Sequence, residues 1–518
     1  MMTKVKSVWM FLMALGVLFT VILNWFPAAQ ASNQTQIVAA MGAGWNLGNQ
    51  LEANSNGTPS ETVWGNPTIS QALITAVKNA GFKTIRIPVS YLSKIGSAPN
   101  YTIDAAWLAR IKQVVDYAYN QGLYVIVNMH GDGYPTVTGS WLLVTSGDQT
   151  TIKAKYQKVW QQVATIFASY DEHLILESMN EEFDGNYSDP NPTYYANLNA
   201  YNQIFVDTVR QTGGNNATRW LLIPGWNTNI DYTVGNYGFV VPTDNYRSSS
   251  IPGNEKRIMI SAHYYSPWDF CGEESGSITQ WGSIATDTYR KSTWGQEDYM
   301  DSQLSSMYNK FVTQGYPVVI GEFGTVDKSS ADSTNSTYRA YFAKTLCVDC
   351  KKYGAVPVVW DNGFNGVYGL GLFDRNTLAV TQQGILTAIM SAMGTVITPT
   401  PTVTVTPTPT SIPTSCSIRY TQNDWGSGAT VNITIINNSS SAINGWTLAW
   451  NFAGNQQIVN LWNGIYTQSG TAVTVKNVSY NNLIPAKGNV SFGFNISYSG
   501  SNARPAAFTL NGAACQLE

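Results

Sequence analysis

Two glutamates, Glu181 and Glu322, stand where chemistry is most easily done. Each follows a short apolar run, Leu174-Ile175-Leu176-Glu177-Ser178-Met179-Asn180-Glu181 in one case and Pro317-Val318-Val319-Ile320-Gly321-Glu322-Phe323-Gly324 in the other. Runs of this length read as buried parallel strands. If both strands belong to one closed parallel barrel, both carboxyls project into the same mouth, because the active sites of such barrels sit at the C-terminal strand ends. Taken singly, a glutamate after a strand is as readily a solvated loop residue or a helix N-terminal charge. Taken together, two carboxylates facing one cleft are the equipment of glycoside hydrolysis.

The elements that must position them are legible from Gly42 to about Met393, where a short apolar strand, a polar or aromatic loop and an amphipathic helix recur. Strands are expected at Ala43 to Leu47, Thr84 to Ile87, Tyr124 to Asn128, Leu174 to Glu177, Trp220 to Ile223, Ile258 to Ser261, Val318 to Ile320 and Val356 to Trp360. Eight is the number that closes an α/β (β/α)8 TIM barrel. Between two of them, Asp104 to Gln121 carries Leu108, Ile111, Val114, Val115 and Ala118 at helical spacing, with Asp104 as N-cap and Gly122 as stop.

The chain of 518 residues is too long for one core. Only 12% of it is charged and the net charge is -3, so no basic field exists to hold nucleic acid, while abundant Trp and Tyr suit flat uncharged ligands. Residues 1–31 read as a secretory leader: Lys4 and Lys6, an apolar run from Val8 to Phe26, and an A-x-A site at Ala29-Gln30-Ala31. An uncleaved anchor is the alternative; cleavage predicts a secreted, extracellular chain starting near Ser32, with no membrane association thereafter. The barrel region is then 32–397. Residues 398–415, threonine alternating with proline, form a linker of roughly 50 Å reach expected to carry O-linked glycans. Residues 416–518 have few charges and period-two runs such as Thr430-Val431-Asn432-Ile433-Thr434-Ile435, which predict an all-β sandwich. Cys416 and Cys515 bracket it, so a disulfide would tie its first and last strands. Cys347 and Cys350 fall in a C-x-x-C spacing on a predicted helix, Ser336 to Tyr353. They lack the second pair, the histidine or the thioredoxin context that a metal or redox site needs, and with Cys271 they are expected to be structural.

The set Gly44-Trp45-Asn46-Leu47-Gly48-Asn49, Ile85-Arg86-Ile87-Pro88, Asn128-Met129-His130, Asn180-Glu181, His263-Tyr264-Tyr265, Gly321-Glu322-Phe323-Gly324 and Trp360-Asp361-Asn362 resembles glycoside hydrolase family 5, the cellulases with a (β/α) barrel. Each motif falls at the end of an expected strand. Asn423-Asp424-Trp425, Asn444-Gly445-Trp446-Thr447-Leu448, Leu461-Trp462-Asn463 and Ala507-Phe508-Thr509-Leu510-Asn511-Gly512 resemble a family 2 carbohydrate-binding module. Together they look like a clostridial-type secreted endoglucanase. The resemblance implies Glu181 as acid/base and Glu322 as nucleophile of a retaining double displacement, without cofactor or metal. Arg86 and Tyr265 would keep Glu322 ionised, Asn180 would bind the sugar 2-hydroxyl, His130 and His263 would orient, and Trp360 would form the platform under the reacting sugar. His173, just before a strand, reads as a surface residue.

Departures from the pattern are informative. Glu182 stands where the family usually has proline after Asn-Glu, and alternation in an extended segment sends Glu181 and Glu182 to opposite faces, so only one can meet Glu322. Gly131-Asp132 follows His130 where relatives often carry a second histidine, which leaves subsite contacts open. In the module, Trp446 and Trp450 share a strand face with Leu448 and read as core. Trp425 and Trp462, in loop-like contexts, and Tyr480, where relatives usually have tryptophan, match the exposed cellulose-stacking positions. The expected function is that of an endo-β-1,4-glucanase, monomeric, acting on cellulose and related β-glucans. The alternatives are the same machinery acting mainly on xyloglucan, mixed-linkage glucan or mannan, and, against the complete catalytic set, an inactive wall-binding protein.

Overall fold

The computed structural model describes residues 32–394, 416–499, 502–505 and 507–517. The expected leader and the whole expected linker lie outside the described residues. Those that remain form two compact units, the first within residues 32–394 and the second from residue 416 onward.

In the first unit eight strands close into a barrel: β1 (Gly44–Asn46), β2 (Thr84–Ile87), β3 (Tyr124–Val127), β4 (Leu174–Glu177), β5 (Leu221–Pro224), β6 (Ile258–Tyr264), β7 (Val318–Phe323) and β8 (Ala355–Val359). Every neighbouring pair is parallel, and β1 completes the ring by pairing with both β2 and β8. All eight fall where the apolar runs predicted. The strands are buried on both faces, which is why they read as continuous apolar runs rather than as alternating ones. Inward residues Ile126, Ile175, Leu222, Met259, Val319 and Val356 fill the barrel. Ile37 and Met41 of a short N-terminal helix, Gln34–Met41, pack against this filling at the end opposite the strand C-termini, and Asn33 caps that helix through a reciprocal bond with Gln36. The helix expected from Asp104 runs over Ala105–Tyr119, with the Asp104 carboxylate accepting from the Trp107 amide at 2.7 Å.

The second unit is a β-sandwich. Strands Cys416–Asp424, Gly428–Asn437, Asn489–Ser497 and Gln457–Trp462 form one sheet, and Thr447–Asn451, Ala472–Lys476, Ile465–Ser469 and Phe508–Leu510 the other. The last strand, Ala513–Leu517, joins them, parallel to the first strand and antiparallel to Phe508–Leu510. The ring of Trp450 on one sheet stacks on Phe492 and Phe494 of the other, with centroids 6.3 and 5.7 Å away. Trp446, Leu448 and Trp450 are all buried, as expected. The Cys416–Cys515 disulfide is present and ties the first strand to the last. Cys271, Cys347 and Cys350 are free and buried; burial pushes all three thiols up, so they pack as small apolar groups.

Candidate active site

Period two along β4 turns Ile175 inward and therefore Glu177 inward as well. The same rule applied to β7 fails. Val319 points inward, so unbroken alternation would send Gly321 inward and Glu322 out to the helices. The register shifts instead: Ile320 pairs with Ala262, but Glu322 pairs with His263, and on the other side Pro357 pairs with Ile320 while Val359 pairs with Phe323. Gly321 is the extra residue of a β-bulge, and the bulge re-aims Glu322 into the barrel mouth. A Cβ on Gly321 would lie 3.1 Å from His263 Nε2, so a side chain there requires the imidazole to give way by a few tenths of an ångström.

Arg86, fully buried on β2, is the hub. Its Nε donates to Glu177 at 2.7 Å, Nη1 to Glu322 at 2.8 Å and to Asn46 Oδ1 at 3.0 Å, and Nη2 to Asn180 Oδ1 at 2.7 Å. Glu177 takes a further bond from Ser261 at 2.7 Å, and Tyr265 donates to the second oxygen of Glu322 at 3.1 Å. Only a planar fork with several donors satisfies this many acceptors at once. Opposite it, Glu181 accepts from Tyr134 at 3.0 Å, and His263 Nδ1 lies 2.6 Å from its other oxygen. Asn180 donates to the Tyr134 hydroxyl at 2.9 Å. Carboxylate oxygens of Glu181 and Glu322 and a ring nitrogen of His263 all lie within 4.8 Å of one another. Such a trio could accept a cation, but the charge on Glu322 is already met by the Arg86 guanidinium.

Desolvation is the first cause that raises both carboxyls above their usual range. Glu322 faces Arg86 directly and its side chain is 7% exposed, whereas Glu181 is 27% exposed towards the cleft. The nearby Glu181 charge adds to the upward push on Glu322. The Arg86 charge lowers both carboxyls, and only Glu322 is in direct contact with its guanidinium. Burial lowers His263 to about 4, so it is neutral beside the pair. His130 is pushed well below its ordinary value by burial and by the Arg86 charge. Its ring lies parallel to that of half-exposed Trp360, 5.8 Å between centroids, and Asn180 Nδ2 reaches within 3.4 Å of its Nε2.

Every barrel residue expected at the site is therefore in one cleft: Glu181, Glu322, Arg86, His130, Asn180, His263, Tyr265 and Trp360. Glu182 is turned away and buried, its carboxyl pressed against Gly133, where a Cβ would overlap it. Burial first, then the Asp132 and Glu181 charges, raise it well above the carboxylate range. His173 is at the opposite end, half-exposed, stacked on Tyr124 and paired with Asp171. Sequence reasoning missed Glu177, Asn46, Ser261 and Tyr134. Glu177 carried a visible signal, since a charge inside a buried strand demands a counter-charge. Tyr134 carried none, because it sits in a loop whose path the local sequence does not specify.

The profile of the family described as cellulase (glycosyl hydrolase family 5) matches residues 47–366. The chain belongs to glycosyl hydrolase family 5. As a family 5 glycoside hydrolase it is 69% identical over 375 residues to Endoglucanase A of Paenibacillus barcinonensis, a match covering 71% of this chain and 94% of that one. It is 34% identical over 376 residues to a xyloglucan-specific endo-beta-1,4-glucanase of Bacteroides ovatus, covering 69% and 70% of the two chains. Among solved structures, a family 5 xyloglucanase from Paenibacillus pabuli in complex with ligand superposes with a TM-score of 0.68 at 71% identity, covering 69% of this chain and all of that one (100%).

The second unit carries the three aromatics expected to stack on cellulose, Trp425, Trp462 and Tyr480. Gly428 and Gly493 lie on the outward face of one sheet, where neighbouring positions point to solvent. The Trp425 ring lies over the first and the Trp462 ring over the second: a Cβ at either glycine would come within 2.8 and 2.4 Å of the respective ring. Gly493 pairs with Asn432, four residues along the strand from Gly428, so the two seats are offset by about 13 Å along the strand direction. Trp425, Trp462 and Tyr480 are 56%, 37% and 73% exposed. Trp462 ends a strand rather than lying in a loop, and Tyr480 is tied beside it by a 2.8 Å bond to Asn463. A profile described as cellulose binding domain matches residues 416–515.

Proposed function

We propose that this family 5 hydrolase is a secreted, monomeric, retaining endo-β-1,4-glucanase held on cellulose by its module, its domains being leader 1–31, barrel 32–397, linker 398–415 and module 416–518. The observation that carries the mechanism is the approach of the Glu181 and Glu322 oxygens to within 4.8 Å. A retaining pair is about 5 to 5.5 Å apart, whereas an inverting pair needs roughly 6.5 to 9.5 Å to admit a water. Glu322, ionised by Arg86 and Tyr265, attacks the anomeric carbon while Glu181 gives its proton to the leaving oxygen. Glycosylation of Glu322 removes its negative charge, so the Glu181 carboxyl becomes more acidic and can take a proton from the water that releases the sugar. Asn180, fixed by Arg86 and Tyr134, faces the 2-hydroxyl. Trp360, backed by His130, lies under the ring. Cellulose as substrate is supported by the module and by the endoglucanase among its relatives. Xyloglucan enters because a 71% identical relative is described as a xyloglucanase.

The test combines two variants with the stereochemistry of the first product. Glu322→Ala is expected to abolish hydrolysis in a folded protein. Glu181→Ala is expected to keep some activity on substrates with a good leaving group and to regain turnover with azide. Proton NMR should detect the β-anomer first; an α-anomer, or azide rescue of Glu182→Ala instead, overturns the assignment. Parallel assays on carboxymethylcellulose, xyloglucan and mannan rank the substrates.

A further inference from the structure

Ser32 is held at three points. Its amide donates to Glu172 Oε2 at 2.8 Å, its hydroxyl to Glu172 Oε1 at 2.5 Å, and its carbonyl accepts from Arg257 Nη1. The two holders belong to different parts of the barrel floor: Glu172 lies two residues before β4, and Arg257 immediately before β6, its guanidinium over the Trp220 ring at 4.6 Å. One residue further on, Asn33 caps the helix Gln34–Met41, whose Ile37 and Met41 plug the barrel from below. Ser32 is therefore the clip that fixes the plug.

The charges around the clip are uneven. Arg257 pairs with Glu255 at 3.2 Å. Glu172, by contrast, accepts from Ser32 alone and forms no salt bridge among the described residues. Arg257 feels the Glu172 charge but is in contact with Glu255 and the Ser32 carbonyl, so the cation in direct contact that Glu172 lacks among the described residues would sit where the Ser32 nitrogen is.

We propose that Ser32 is the mature N-terminus and that Glu172 and Arg257 form a socket for its α-ammonium group. The inference rests on the secretion reading above. Hydrolysis of the Ala31–Ser32 bond by a leader peptidase breaks the amide C–N bond; water gives its hydroxyl to the Ala31 acyl carbon and a proton to the Ser32 nitrogen. That nitrogen, with an ordinary pKa near 7.7 to 8.0, takes a further proton at neutral or lower pH. The neutral N–H···carboxylate contact becomes an ammonium–carboxylate pair, and removal of the leader itself tightens the barrel plug. Arg257 repels the new charge, but it is engaged by Glu255 and by the Ser32 carbonyl, while Glu172 faces the nitrogen directly.

The experiment uses the full chain from residue 32 onward, released from a fusion so that it begins at Ser32 or one residue earlier at Ala31. Each form is made with Glu172 and with Glu172→Gln and melted at about pH 6, below the ordinary pKa of an α-amino group. Adding Ala31 is expected to lower Tm by about 1–2 °C, small because the pair is partly exposed and the barrel is large. Glu172→Gln should lower Tm by a similar amount in the Ser32 form and by less in the Ala31 form. Equal melting of the two forms, or additive effects of the two changes, overturns the socket. Intact mass of exported protein is read separately. A mature chain starting at Ser32 supports the proposal, and one starting elsewhere refutes it while leaving secretion standing. Failure of export refutes secretion, and the melting comparison still decides the socket.

Discussion

Tyr134→Phe removes a single oxygen from the site, and its consequence can be worked out. The hydroxyl donates to Glu181 at 3.0 Å, and among the influences that lower the Glu181 pKa this bond ranks first. A donor stabilises the ionised carboxylate more than the acid, so its removal must raise the Glu181 pKa further. Hydrogen bonds to charged groups are worth about 1.5–3 kcal/mol, and the opening of Glu181 to the cleft favours the lower end. At 1.36 kcal/mol per unit, the alkaline limb of kcat/KM should move up by about one pH unit. The limb reports loss of the Glu181 proton, so the direction is upward. Rates on an aryl β-cellobioside from pH 4 to 9 measure it. Tyr265→Phe is the internal control: it strips a donor from Glu322, so the acid limb should rise and the profile narrow, where Tyr134→Phe broadens it. An alkaline limb that stays or falls in Tyr134→Phe, or an acid limb that moves in its place, refutes the division of labour between the two carboxyls.

Two further outcomes are expected. Glu182 keeps its proton in the folded chain at pH values where the unfolded chain has lost it, so it erodes stability as pH rises above about 4.5; Asp132, raised to about 6, and Glu52, to about 7, act with the same sign. Glu182→Gln should therefore remain active and show a smaller fall in Tm between pH 5 and pH 8 than the parent, and an unchanged fall would remove Glu182 from the account. In the module, Trp425→Ala and Trp462→Ala should each weaken binding to insoluble cellulose by ~1 to 3 kcal/mol, by analogy with base stacking, while leaving rates on soluble substrate untouched. Trp446→Ala should unfold the module, and pull-down on cellulose with circular dichroism separates the two effects.

The sequence by itself determined the eight barrel strands, because each is an apolar run closed by a polar residue, and that pattern survives without knowledge of partners. It also determined which tryptophans of the module are core, since Trp446, Leu448 and Trp450 share the parity of one strand. Parity also separates Glu181 from Glu182 onto opposite faces, and it is the preceding Asn180, in the Asn180-Glu181 motif, that singles out Glu181. What the tertiary structure alone decided is how Glu322 comes to face the mouth that its strand-end position predicted: strict alternation from Val319 would turn it outward, and the extra residue at Gly321, visible in the pairing with β6 and β8, turns it in. The fork of Arg86 between Glu177 and Glu322, and the reach of Tyr134 to Glu181, were decided there too. Parity is a property of a few adjacent residues and can be read along the chain; contacts between positions 91 and 236 residues apart exist only once the ring has closed and fixed the register between strands.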